Sequence, residues 1–344
     1  MKEKVLVAMS GGVDSAVAAL LIKEAGYDTA GVTMRLCDKE TNDIDDAKRI
    51  CDAIGIEHYT VDLRADFERL VVGGFIDEYK NGGTPNPCVE CNRTIKFGKL
   101  LAFAASLGYD KLATGHYAIV EKGENGRYLL KSARDKRKDQ SYFLWSLTQD
   151  VLSRVLFPLG QMSKDEIRAI AAKNGFVNAH KSDSQDICFI EDGDYAGFIE
   201  RTTKEIFPKG NFIDTNGKVL GEHSGIIRYT VGQRKGLGIA LGKPAFVREK
   251  DPVANTVTLC EEAELYKTDI QAVRCNFSAI DGMARPTHLC AKIRYRQEAS
   301  SAVVTQTSPS TFHLVFDEPQ RAPAKGQSVV LYDGDTVVGG GIID

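Results

Sequence analysis

No apolar stretch in this sequence approaches the length of a bilayer span, so no membrane-spanning helix is expected. Cysteine is thin as well: eight in 344 residues is far sparser than in a small secreted scaffold. The opening MKEKVLVAMS passes from charges straight into a short strand-like run rather than an export signal, so reduced thiols and a cytoplasmic protein are the expectation. Nor is there an excess of positive charge. With a net charge of −3, any nucleic-acid contact has to come from local basic patches. The chain carries no G-x-x-x-x-G-K-[ST] and no dinucleotide fingerprint after its first strand, which removes two common glycine-rich phosphate loops. Internal repeats and low-complexity tracts are absent too.

What is present is enough apolar sequence, 43% of 344 residues, to build two or three domains. KVLVAM, TAGVTM, EHYTVDL and KLATGH read as strands separated by helices such as 43–54. That alternation predicts an α/β domain with a parallel sheet covered on both faces, over 1–205. A helix from about Ile95 places Phe97, Leu100, Leu101, Ala104 and Ala105 on one stripe. Further helices are expected over 149–156 and 163–174, the latter with Ser163 and Glu166 spaced as a capping box. After FPKG the runs shorten and glycine turns multiply, suggesting a small central β-rich domain over 206–266. Successive strands from 267 to 344 then suggest an antiparallel β-barrel.

SGGVDS, Ser10–Ser15, lies where the first strand gives way to a helix. Gly11 and Gly12 let backbone approach a ligand closely, Ser10 and Ser15 add hydroxyls, and a helix start presents N–H groups at the positive end of its dipole. The arrangement suits a phosphate group; a tight turn with Ser10 or Asp14 as an ordinary cap is the plainer alternative.

SGGVDS resembles the pyrophosphate loop of ATP pyrophosphatases. GGTPNPCVECNRTIKFG, LATGHYA, KDQSYFLW, DSQDICFI and YTVGQRKGLGI narrow the resemblance, across nearly the whole chain, to the tRNA-specific 2-thiouridylase family. The resemblance implies an adenine-nucleotide α-hydrolase-like first domain. It also implies an ATP- and Mg²⁺-dependent sulfurtransferase that replaces the carbon-2 oxygen of the wobble uridine in certain tRNAs. By the same resemblance Ala8, Met9, Ser10, Gly11, Gly12, Val13, Asp14, Ser15, Met34 and Gly115 contact the nucleotide. Asn86, Pro87, Cys88 and His116 lie by the target base, and Lys138, Asp139, Gln140, Arg294, Tyr295 and Gln327 touch tRNA. The anticodon loop is the implied partner, its unpaired base being extruded at modest cost.

Sulfur delivery falls to cysteine. The resemblance makes Cys91 the nucleophile and Cys188 the persulfide carrier, with a Cys91–Cys188 disulfide as by-product and a sulfur donor protein as partner. Many members carry aspartate where this chain has Cys88. The resulting C-x-x-C, with Cys188, supplies three ligands of the kind that hold a [4Fe–4S] cluster with one open iron, to which inorganic sulfide could bind. Zinc, which wants a fourth ligand, and a redox disulfide are the competing readings of the pair. Cys37, Cys51, Cys260, Cys275 and Cys290 read as packing residues.

Lys131, Arg134, Lys136, Arg137 and Lys138 form a basic cluster able to track phosphates, and AKIRYRQ reads as a second basic strand. In GQRKGLG, Arg234 and Lys235 read equally well as RNA contacts or as parts of a structural hairpin. Two other functions fit parts of the sequence: a synthetase of the same loop class that adenylates a small metabolite, with no need for Cys91 and Cys188, and an RNA-binding module whose loop is a mere turn.

Overall fold

The computed structural model describes residues 2–37, 41–176, 187–190 and 192–344. Strands β1 (Lys4–Ala8), β2 (Asp28–Arg35), β3 (Glu57–Asp62) and β4 (Lys111–Ala113) run parallel, in the order β3-β2-β1-β4. Val5, Leu6 and Val7 are all fully buried because β1 is covered on both faces: Val5 and Val7 face one cluster with Ala16–Ala19, Leu6 the other with Ile95 and Leu100. Helix α1 (Val13–Glu24) packs closely on the sheet through that run of alanines; α2 (Thr41–Ile54) joins it through Ala47, Ile50 and Cys51. The chain leaves β1 toward β2 and β3, then returns to place β4 on the opposite side of β1. The ends of β1 and β4 therefore form the crevice where open α/β sheets take ligands.

Three local expectations are corrected. The helix over 149–156 stops at Ser153, and Val155–Leu156 extend beside β4 as a fifth parallel strand; β-branched Val155 and the nearby Pro158 suit extension better than another turn. The helix carrying Ile95 is a π-helix over Cys91–Leu100 before it becomes α-helical at Leu101–Ser106. Its wider turn breaks the 3.6-residue stripe, so Phe97, Leu100, Leu101 and Ala104 are buried while Ala105 is exposed. AKIRYRQ is strand only as far as Lys292; Arg294 and Tyr295 stand in the following turn. The capping box at Ser163 and Glu166 is present on α3 (Lys164–Lys173).

Between β4 and α3 the chain forms an antiparallel hairpin, Ala118–Lys122 with Tyr128–Ser132, that leaves the parallel sheet. It pairs instead with Thr336–Ile343, adding two strands to the carboxyl-terminal sheet. Six further strands there, Tyr266–Phe277, Thr287–Lys292, Ser300–Ser308, Thr311–Arg321, Ser328–Asp333 and Thr336–Ile343, close into a barrel because the first pairs with the last. The stretch SYFLW plugs the junction: Tyr142 Oη donates to Ser328 O at 2.8 Å and Trp145 Nε1 to Ser328 Oγ at 3.0 Å. A separate four-stranded sheet of Gly210–Ile213, Val219–His223, Phe246–Asp251 and Thr256–Cys260 lies between. Of the five cysteines read as packing residues, Cys51 and Cys260 are buried and Cys37 and Cys275 half-buried. Cys290 is exposed, since its side chain points out of its barrel strand between half-buried Leu289 and buried Ala291.

Candidate functional site

The loop expected to hold phosphate, on one side of the crevice, is braced from within. Gly11 has φ +68°, and a Cβ there would come 2.8 Å from the Asp43 carbonyl of α2, so only glycine fits. Ser15 Oγ accepts from Ser10 N–H at 3.1 Å, lies 3.3 Å from Ser10 Oγ, and donates to Gly12 O at 3.0 Å. Gly12 is the N-cap of α1 and supplies no side-chain acceptor to the first-turn N–H groups, as the expected phosphate site requires. At the base of the loop Met9 N–H donates to Val32 O, and Met9 and Val13 are buried; Ala8 and Met34 are half-buried at the ends of β1 and β2. Gly115 meets the loop from β4: its Cβ would fall 2.9 Å from Asp14 C and 3.0 Å from Ser15 N.

Asp14 is engaged. Lys164 Nζ reaches both carboxylate oxygens at 2.9 Å, and Tyr117 Oη donates to Oδ1 at 2.8 Å.

The wall expected to face the target base is assembled from all parts of the chain. The segment before Asn86 is held by Lys250 Nζ on Gly83 O at 3.1 Å, by Lys325 O on Thr84 N–H at 2.8 Å, and by Gln327 Nε2 on Thr84 O at 2.6 Å. Burial pushes the Lys250 ammonium down to about 8, with Glu78 opposing. Asn86 is then the N-cap and Pro87 the N1 residue of a short helix, Pro87–Glu90, that leads into the π-helix. Cys88 and Cys91 sit three residues apart on this run. Water reaches Cys88 although protein crowds it, as on the floor of a cleft, whereas Cys91 is buried. Burial pushes both thiols up and the Lys96 charge opposes it.

Lys96 also joins this wall to β4, with Nζ 3.5 Å from His116 Nε2. His116 is wedged between Phe97 and Phe157, and burial first, then Lys96, holds its pKa well below the usual imidazole range. The ring is neutral near pH 7. Since an ammonium can only donate, Nε2 is the acceptor, which leaves the Nδ1 proton to Thr114 Oγ1 at 2.6 Å.

The residues expected to touch tRNA are also structural ties. Buried Asp139 accepts from Ala133 N–H at 2.9 Å, and from Ser141 N–H and Oγ. Gln140 clasps Tyr117, accepting its N–H at 2.9 Å and donating its own to the Tyr117 carbonyl at 2.8 Å. Half-buried Lys138 adjoins them. Arg294 Nη2 donates to Ala322 O at 2.7 Å, and Tyr295 rests 4.4 Å from the Phe143 ring. Within the basic cluster, Lys131 pairs with Glu121, Arg134 with Glu166, Lys136 with Asp335 and Arg137 with Asp135. Its field is therefore weaker than the sequence suggests. Arg234 lines a glycine-rich recess of about 430 Å³ with Leu237, Ile239 and Lys243, and none of the crevice residues named above lines it.

In DSQDICFI, 183–186 lie outside the described residues. Ile190 is buried, and Phe189 packs edge-on to Phe67 and Phe75 at 5.7 and 5.3 Å, while Cys188 between them and Ile187 is exposed. Among the described residues no three His, Cys, Asp or Glu side chains are gathered so as to hold a metal, so Cys88, Cys91 and Cys188 are not assembled as a ligand set. Sequence reasoning missed Lys96, Thr114, Tyr117 and Lys164. The first three lie inside the quoted motifs, but only the π-helix and the β4 crossing bring them to the site; Lys164 carries no local signal, as it is simply the first residue after a cap.

The profile described as tRNA methyl transferase HUP domain matches residues 3–192, the tRNA methyl transferase PRC-barrel domain 196–261, and the aminomethyltransferase beta-barrel domain 267–343. The chain is 47% identical over 356 residues to the tRNA-specific 2-thiouridylase MnmA of Clostridioides difficile, covering 100% of this chain and 99% of that one. The proteins of the same name from Acetivibrio thermocellus and Treponema denticola are 47% and 46% identical, covering 99% of this chain and 99% and 98% of theirs.

Proposed function

This chain belongs to the tRNA-specific 2-thiouridylases, and from that premise we propose the route by which its residues carry out the reaction. The chain is a tRNA sulfurtransferase that 2-thiolates uridine. Its substrate base is the wobble uridine of the anticodon loop, and ATP is the co-substrate. A uracil carbonyl oxygen is a poor leaving group, so the carbon-2 oxygen first attacks the α-phosphorus of ATP, giving an adenylated base and pyrophosphate. The pyrophosphate is received by Ser10–Ser15 and the start of α1. Mg²⁺ would arrive with the nucleotide and offset phosphate charge.

Sulfur then replaces the adenylate. A Cys188 persulfide attacks carbon 2, AMP departs, and Cys91 attacks the Cys188 sulfur; thiouridine is released and a Cys91–Cys188 disulfide forms, to be reduced by an external dithiol. Neutral His116, its Nε2 turned to Lys96, lines the base side. The observation that supports this reading most is Gly115–His116: one residue packs on the phosphate loop and the next reaches, through Lys96, the wall that carries Cys91.

The Cys88–Cys91 pair supports a second reading of sulfur delivery, a [4Fe–4S] cluster with Cys188 as third ligand. Its ligands are not assembled here, so no step is derived through it. Pyrophosphate release that needs both ATP and tRNA is the expected result and tests the adenylation. Release stimulated by a small amide donor instead would favour a synthetase, and no release with either, a binding module. Cys88→Ser then separates the two sulfur routes: thiolation from a persulfide donor survives it by the first and is lost by the second.

A further inference from the structure

The phosphate loop contains a residue of the wrong sign. A carboxylate at Asp14, in the first turn of the helix that would receive pyrophosphate, opposes a polyanion unless it is neutralised. The structure neutralises it with Lys164, 150 residues away in sequence, whose ammonium takes both carboxylate oxygens at 2.9 Å. The pair is asymmetric: the Lys164 side chain is 7% exposed and that of Asp14 is 30%. The carboxylate is thus the more accessible partner and the ammonium the more enclosed one. Tyr117 Oη supplies a further donor to the same carboxylate at 2.8 Å, and the Lys164 ammonium lies 5.9 Å from the Tyr117 ring centroid.

Burying an ammonium is costly, and a carboxylate partner need not offset that cost in full, so stability alone is a weak reason for this pair. Its place at the loop supplies another. We propose that Lys164 is a positioning residue of the nucleotide site: it cancels the Asp14 charge so that the β- and γ-phosphates can settle on the loop, without contacting them itself. This rests on the reading of Ser10–Ser15 as the pyrophosphate loop. It adds a specific dependence, namely that polyphosphate affinity follows the summed charge of Asp14 and Lys164.

The test is calorimetric titration of the full-length protein with Mg·ATP, pyrophosphate and AMP, with no tRNA present. Lys164→Met is expected to weaken ATP and pyrophosphate by about tenfold or more, and AMP by less than about threefold. Adding Asp14→Asn to Lys164→Met is expected to recover most of the lost ATP and pyrophosphate affinity, because an uncharged pair no longer repels phosphate. Unchanged ATP affinity in Lys164→Met overturns the proposal. So does an equal loss for AMP, or a loss that Asp14→Asn does not relieve. Thermal melting of both variants shows whether each is folded. If wild-type protein binds neither ATP nor pyrophosphate, the loop reading itself fails, and that is distinct from any difference among the variants.

Discussion

The two sides of the crevice are built in opposite ways. The backbone of the loop expected to take phosphate is braced locally: six consecutive residues hold one another through Ser10 and Ser15, a glycine from the neighbouring strand closes on them, and only the Asp14 side chain is held from afar, by Lys164 and Tyr117. The base side is communal, since the segment leading to Asn86 is tied by Lys250 of the central region and by Lys325 and Gln327 of the barrel. A local loop tolerates change elsewhere in the molecule; a communal one registers it. Nucleotide binding should therefore be separable from base handling.

Breaking that comparison begins with Cys91→Ser, expected to lower tRNA thiolation by at least about a thousandfold while leaving tRNA affinity within about twofold, as read by thiouridine analysis and filter binding. Gly115→Ala should act on the other side. Its methyl would strike the Asp14–Ser15 backbone, so ATP affinity is expected to fall about a hundredfold in calorimetry, with tRNA affinity largely kept. Gln327→Ala removes the tie to Thr84, and about a tenfold fall in thiolation rate with unchanged ATP affinity would mark the base side as communal.

The smallest effect concerns pH. Burial holds His116 below its unfolded value, as it does His58 and His223, so the unfolded chain binds protons first as pH falls. Stability is retained above about pH 6.5 and declines below it toward the folded values, by a slope that His116→Gln should make shallower in thermal melts between pH 8 and 5.

The same contrast explains what could be read from residues alone. Four of the five strands of the parallel sheet, the capping box at Ser163 and the loop at Ser10–Ser15 announce themselves within a few positions, because burial on both sheet faces, caps and glycine turns are short-range signals. What stayed hidden depends on distant pairing or on an altered helical period. The hairpin Ala118–Ser132 has ordinary strand sequence, and nothing in it says that its partner is Thr336–Ile343. The π-helix over Cys91–Leu100 looks like an α-helix to any count in steps of 3.6, and such a count misplaces Ala105 and does not bring Lys96 to His116. Likewise Asp139 and Gln140 can be matched to a family stretch, but their work as buried ties appears only in three dimensions.

The hairpin has a further consequence for how the molecule is made. Thr336–Ile343 lends one end to Tyr266–Phe277, which seals the barrel, and the other to Tyr128–Ser132. During synthesis the hairpin therefore leaves the ribosome long before its docking partner and must wait with an unpaired edge, a state open to wrong association. Loss of that last strand would unseal the barrel and strand the hairpin at once, so the chain has a built-in penalty against being left incomplete.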